Sequence, residues 1–402
     1  MIPDDKLFDP KLYRAVQKPL LEAETLPRWC YTSEAFHARE VERLFLRMWC
    51  FVGRLDELPH AGDYMTIDLP GGPVLIMRGR DGIVRAFANT CRHRGVKLID
   101  GRGNCRAGVV CPYHSWTYGL DGRLAGAPDM AKTVGFDKTR YGLEPIRLDH
   151  WAGFMFVNFA ADGPTLLEQL GDLPEQLGSY RPEDMVCVKR LDFEVKCNWK
   201  FLLENALESY HTATVHRTTL GEQWAEDVET KGDWRAIFLP GEKSVSVLPG
   251  EMPPFPRIEG LQGRAAGGTY FTAVFPSTQF ACAVDSMWWL RMYPKGPGVT
   301  LHNFGFCFPK SVVADPDFER KAEPYFRRWL AGALEDNLIS EAQHAGALSV
   351  AHKPGPFSYR ERAVHEIAKW LLGRVLDQPK AGRRAPKRKT SAPRRTSRPR
   401  RR

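Results

Sequence analysis

Two short cysteine–histidine pairs carry the strongest chemical signal in the sequence. Cys91-x-His93 is followed, after 17 intervening residues, by Cys111-x-x-His114. Each pair offers one soft thiolate and one imidazole, donors that suit transition metals. The polar, Gly-rich stretch between them, VKLIDGRGNCRAGVV, is long enough for a hairpin that sets the two loops face to face. A single zinc ion accepts two cysteines and two histidines. One residue between Cys91 and His93 is, however, a tight chelate for one tetrahedral ion. Two irons suit the spacing better: each loop gives its cysteine to one iron and its histidine to the other. That places both cysteines on one iron and both histidines on the second iron of a [2Fe–2S] cluster, and neutral imidazoles raise its potential. Cys105 lies between the pairs and breaks neither.

A second constellation follows in NWKFLLENALESYHTATVH, residues 198–216. Glu208 and His211 are spaced i and i+3, which predicts one shared helix face. His216 lies five residues further on, so the helix must end or loosen before it. Two histidines and one carboxylate form the facial triad that holds Fe(II) and leaves neighbouring positions open. Glu204 and Glu208 are near in sequence; Asp336, in WLAGALEDNLISEAQHAG, is the distant candidate for the carboxylate.

The segments RHRG, CPYH and YGLDG occur in order around the four cluster residues. With them, over about residues 30–375, the chain resembles the Rieske non-haem iron oxygenases, the family of aromatic-ring-hydroxylating dioxygenase α subunits. One departure is Ser115, where Gly is the commoner residue. The resemblance implies Asp336 as the third ligand beside His211 and His216, with Glu335 or a neighbour as substitute. It also gives Glu208 and Asn205 roles in the reaction. Asn205 matches a family Asn near the iron. Glu208 stands where an acidic residue bridges the iron-bound His211 to a cluster histidine, here His114, of a neighbouring subunit. That bridge implies a head-to-tail homotrimer. The family often has Asp there; Glu occurs in a branch that includes demethylases and hydroxylases of quaternary amines.

The implied function is that of a terminal oxygenase. Electrons from NAD(P)H arrive through a separate reductase or ferredoxin. O2 and a small organic substrate, an aromatic compound or a quaternary amine, are the co-reactants. The length of the folded part and the Glu208 variant favour an α3 enzyme without a β subunit. One rival is a Rieske electron-transfer or redox-sensing protein without oxygenase chemistry, which needs no partner domain of this size. Another is a nucleic-acid-binding protein with a zinc site and a basic tail.

These groups need rigid elements beneath them. Between residues 49 and 158, short alternating segments such as DYMTIDL, PVLIMRG and IVRAFAN are separated by Gly and Pro turns, the pattern of a small antiparallel β domain. Before it, residues 1–48 are helical and belong with the catalytic part; SEAFHAREVERLFLRMW reads as an amphipathic helix capped by Ser33. Residues 159–378 combine strands between 230 and 310 with helices at the end. The expected fold is α+β: an antiparallel Rieske domain inserted into a helix-grip catalytic domain, an antiparallel sheet with helices. Phe271, Phe275, Phe280, Trp288, Trp289, Tyr293, Phe304 and Phe306 lie on the later strands, and alternation points about half of them towards a pocket.

Charge and composition narrow the rest. The net charge is +9, but residues from Lys380 onward carry 12 basic side chains and no acidic one, which leaves −3 for residues 1–379. The tail, 379–402, reads as disordered, with no identifiable partner. The nine cysteines are odd in number and spread through a long chain, which argues against a disulfide framework. No apolar run reaches the length of a membrane-crossing helix, and the N-terminus shows no basic-then-apolar signal pattern. The expected compartment is the cytoplasm.

Overall fold

A computed structural model of the chain describes residues 3–241 and 245–376. The basic tail lies outside the described residues. The alternating segments become β1 (Cys50–Arg54), β2 (Asp63–Leu69), β3 (Gly72–Arg78), β4 (Val84–Ala88) and β5 (Arg102–Asn104). They continue as β6 (Val109–Val110), β7 (Thr117–Tyr118), β8 (Leu124–Gly126), β9 (Pro145–Trp151) and β10 (Phe154–Asn158). Seven of these form one sheet, ordered β1-β10-β9-β4-β3-β2-β5, and β6-β7-β8 form a small second sheet. Pro70 and Gly71 make a two-residue turn, so that Leu69 pairs with Gly72.

The stretch between the two cysteine–histidine loops is not the hairpin its length suggested. Arg102–Asn104 pairs with the edge strand β2, and Val109–Val110 pairs with β7. The open edge of β2 offers Arg102–Asn104 a ladder that a local hairpin would have to supply within itself. The two loops meet all the same.

The later part is built on β11 (Met185–Val195), β12 (Glu226–Val228), β13 (Trp234–Pro240), β14 (Gly268–Val274), β15 (Thr278–Cys282), β16 (Met287–Gly296) and β17 (Val299–Pro309). Their order is β11-β17-β16-β15-β14-β13-β12, antiparallel throughout. Both faces of β16 are buried, because alternate side chains meet different partners. Trp288 packs on Trp329 of the long helix Phe318–Ala347, with ring centroids 3.6 Å apart. Its neighbour Trp289 points the other way and meets Phe51 of β1 at 5.1 Å. Such aromatic pairs add about 0.5–1.5 kcal/mol each beyond the area they bury. The sheet thus grips the long helix on one face and the β domain on the other.

Residues before and after the β domain share one core: Tyr13, Phe36 and Phe45 are buried with Trp199 and Leu371. Ser33 caps the helix Glu34–Glu40 by accepting from the Phe36 amide. The expected continuation loosens into a π-helical turn at Val41–Phe45. All nine cysteines are free thiols. Among the described residues no helix is long and apolar enough to cross a membrane.

Candidate metal centres

The two cysteine–histidine loops are copies of one backbone turn. Gly95 N–H donates to the Cys91 carbonyl, and Cys91 N–H to the Val96 carbonyl; Ser115 N–H donates to the Cys111 carbonyl, and Cys111 N–H to the Trp116 carbonyl. Each turn needs a residue in the left-handed region at the fourth position after its cysteine. Gly95 takes it at φ +73°, and Ser115 takes it at φ +56°. The sequence departure at Ser115 therefore falls on a position where a side chain is strained.

Both thiols are buried, at 2% exposure each, while His93 and His114 are exposed. The two imidazoles lie side by side, with ring centroids 4.7 Å apart, and His93 stacks on Trp116. Tyr118 accepts the Arg92 amide at 3.0 Å, so its hydroxyl proton is free to donate to the Cys91 sulfur 3.3 Å away. Burial raises the Cys91 pKa. The bonds from Tyr118 and from the backbone of His93, together with the Cys111 thiol, outweigh it and bring the thiol below its ordinary value. That favours the thiolate a metal needs.

The second centre corrects one sequence expectation. Glu208 and His211 do not share a helix face, since the helix Trp199–Asn205 ends before them and the next, Thr212–Val215, begins after them. The Glu208 carboxylate is the reason: its Oε2 accepts the Tyr210 and His211 amides, bonds that compete with a helical ladder. Its Oε1 lies 2.5 Å from His211 Nδ1. On the other side, Glu335 Oε2 accepts from His216 Nδ1 at 2.7 Å and is itself held by the Thr219 hydroxyl. Glu335 therefore lies at the Nδ1 side of the His216 ring, and Asp336 at the Nε2 side.

With both Nδ1 protons committed to carboxylates, both Nε2 atoms carry lone pairs, and they face each other at 3.3 Å. Asp336 Oδ1 completes the set, 3.2 Å from His216 Nε2 and 3.7 Å from His211 Nε2. This oxygen is buried and has no hydrogen-bond partner. Three acceptor atoms this close repel one another unless a proton or a metal cation lies between. Burial disfavours a charge on His216, yet Asp336 and Glu335 more than offset it and raise its pKa, so positive charge is favoured at this point. Glu204, the other near carboxylate, is buried elsewhere against the Tyr31 hydroxyl, and burial pushes its pKa up to about 8.

A cavity opens beside the three atoms. Asn205, the last residue of its helix, lines it next to Glu208. Of the eight aromatic residues singled out in sequence, Phe271, Trp288 and Phe304 reach this cavity. Phe280 and Trp289 pack against the β domain instead. Arg328 and Gln279, which no motif marked, also line it. Arg328 does carry a positional signal, because it lies two helical steps of four before Asp336 and so near the same stripe.

Two family models match separate parts of the chain. Residues 48–141 match the Rieske [2Fe-2S] domain, and residues 182–377 match the catalytic domain of the ring hydroxylating α subunit. The chain belongs to the Rieske non-haem iron oxygenases. Among relatives of this oxygenase, it is 28% identical to the glycine betaine monooxygenase oxygenase subunit of Chromohalobacter salexigens, over 88% of this chain and 86% of that one. It is 36% identical to the carnitine monooxygenase oxygenase subunit of Escherichia coli K12, over 48% of this chain and 53% of that one. The fold is that of a quaternary ammonium Rieske monooxygenase solved with γ-butyrobetaine. That structure has a TM-score of 0.74 and 24% identity, and the match covers 93% of this chain and 98% of that one.

Such oxygenases carry a [2Fe–2S] cluster and a mononuclear iron, and the residues here fit both. Two buried thiols with two exposed imidazoles suit a cluster whose histidine-bound iron faces outward. Two oriented Nε2 atoms and the unpartnered Asp336 oxygen suit a ferrous ion.

Proposed function

We propose that this oxygenase hydroxylates or oxidatively demethylates a small quaternary amine, with an aromatic compound as the second substrate class. Cys91, His93, Cys111 and His114 hold the cluster; His211, His216 and Asp336 hold the iron. When bound, the cluster supplies single electrons and the iron supplies O2 activation. The observation that carries this reading is the convergence of three ligand atoms, from His211, His216 and Asp336, on one point beside a cavity, in a chain that also holds the cluster loops.

The chain's own residues do the rest. Glu208 and Glu335 fix the two imidazoles through Nδ1, which holds Nε2 aimed inward and raises its basicity. Phe271, Trp288 and Phe304 present aromatic faces that attract a trimethylammonium group or stack on a ring. Asn205 lines the cavity together with Glu208, where it positions substrate or water.

Electron supply is the finer part of the proposal. A reductase or ferredoxin delivers electrons from NAD(P)H, and a cytoplasmic location gives access to that pool. The assembly is a head-to-tail homotrimer without a β subunit. Two features support it: His93 and His114 are exposed, and Glu208, His211 and Asn205 also border a second depression, whose other lining residues do not touch the substrate cavity. An exposed cluster histidine of a second copy, placed there, meets the Glu208 carboxylate. The proposed domain limits are 1–48 and 159–378 for the catalytic part and 49–158 for the cluster domain.

O2 uptake by the iron-loaded protein, with a reductase and NADH, tests the reading across quaternary amines and aromatic acids. Hydroxylation of a carbon bonded to nitrogen gives a carbinol that breaks into an aldehyde and an amine, with the second oxygen atom leaving as water. The expected result is substrate-dependent O2 uptake with aldehyde release. Absence of both across the panel contradicts it.

A further inference from the structure

Arg328 is a buried cation without an ion-pair partner among the described residues. It is 3% exposed and lines the cavity from the long helix. Its Nε has no hydrogen-bond partner, and among the described residues no carboxylate forms an ion pair with it. The guanidinium lies on the face of Trp329 at 3.9 Å, which supports it without neutralising it. Burial lowers its pKa to about 9, opposed by Asp336, so the group stays charged near neutral pH. A charge held this far from water is costly unless something pairs with it.

The neighbouring groups point the same way. Gln279 is 4% exposed, its Nε2 has no partner, and it lines the same cavity. Trp288 Nε1 and Trp329 Nε1 are likewise buried donors without acceptors in the cavity wall. The described lining holds two carboxylates, Glu208 and Asp336, and both are committed at the histidine end. Apart from His302 Nε2, whose ring bonds to Asn337 through Nδ1, the unpartnered buried atoms beside Arg328 are donors, which is the complement of an anion.

We propose that the substrate carries a carboxylate, and that Arg328 and Gln279 bind it in the cavity beside the iron ligands. The inference rests on the oxygenase reading and adds the substrate class. Gly332 sets the spacing. A Cβ there would lie 3.7 Å from Arg328 Nη1, so the guanidinium lies back over Gly332 towards Asp336. Gly332 and Asp336 are four residues apart, about 6 Å along the helix. A carboxylate on Arg328 then leaves a few bonds to the carbon that reaches the ligand atoms, with Phe271, Trp288 and Phe304 around the part between. A betaine fits with its cationic nitrogen among the rings; a short aromatic acid fits with its ring there.

Calorimetric titration of the iron-loaded protein tests this with pairs that differ only in the anion: γ-butyrobetaine, glycine betaine and benzoate, each against its methyl ester. At least one carboxylate is expected to bind tenfold or more tightly than its ester. Arg328→Gln is expected to erase that preference while the ester affinity stays within about twofold, and Arg328→Lys to restore part of it. Equal or tighter binding of every ester, or no binding of any carboxylate at millimolar concentration, overturns the proposal. So does an Arg328→Gln variant that keeps the preference. The wild-type comparison stands even if the variant fails to fold. Because binding is read without turnover, failure of the oxygenase reading shows separately, as missing O2 uptake with a carboxylate preference retained.

Discussion

Glu208 and His211 are joined twice, once through the His211 amide and once through Nδ1 of the ring, so one carboxylate fixes both the backbone and the imidazole. The same carboxylate borders the outer depression as well as the substrate cavity. Among the described residues it is the acidic group that both borders that depression and bonds to the His211 ring.

Glu208→Gln keeps the shape and removes the charge. Both metals are expected to remain and turnover to fall by roughly 100-fold. Metal content, O2 uptake and the rate of cluster reoxidation measure this together. Normal turnover with normal coupling would refute the bridging role.

Tyr118→Phe removes the hydroxyl that donates to the Cys91 sulfur. A hydrogen bond to a thiolate stabilises the more negative, reduced cluster. The reduction potential is expected to fall, on the order of 50 mV for one electron. A redox titration followed by visible absorption reads the change, and an unmoved midpoint would deny Tyr118 that role.

Ser115→Gly relieves a left-handed side chain in the second cluster loop. Stability is expected to rise by about 1 kcal/mol in denaturant unfolding, with the cluster spectrum unchanged. A loss of stability would mean that the Ser115 side chain contributes more than its backbone costs.

His37 makes acid sensitivity testable away from the metals. Burial, aided by the nearby Lys200 charge, lowers its pKa to about 4 from 6.5. Between those values the unfolded chain binds a proton that the folded chain refuses, so stability falls as pH drops from 6.5 to 4. His37→Asn cannot titrate and is expected to lose roughly 2 kcal/mol less over that window. Parallel curves for the two proteins would contradict the assignment.

Much of this site was legible in the chain because metal ligands are constrained by type and spacing. Cys91, His93, Cys111 and His114 sit on two turns whose glycine and cysteine positions are local in sequence. His211 and His216 are local too. Asp336 lies 120 residues beyond His216, and spacing alone could not choose it; the family pattern around EDNLISEAQ did. The helix expected across Glu208 and His211 failed because a side-chain carboxylate took the amides a helix would use. Glu335 read as a candidate ligand, and its role at His216 Nδ1 depends on a rotation of the helix that only the packed structure sets. Arg328 and Gln279 were invisible for a simpler reason. An arginine in a helix and a glutamine in a strand read as solvent-facing until the fold closes over them.

One chain is expected to hold both a diiron cluster and a separate ferrous ion. Iron and acid-labile sulfide analysis, with EPR of the dithionite-reduced protein, measures it most directly. About three irons and two sulfides per chain are expected, with a Rieske-type signal, and loss of a single iron in His211→Ala with that signal intact. One zinc per chain, with no sulfide and no signal, would contradict it.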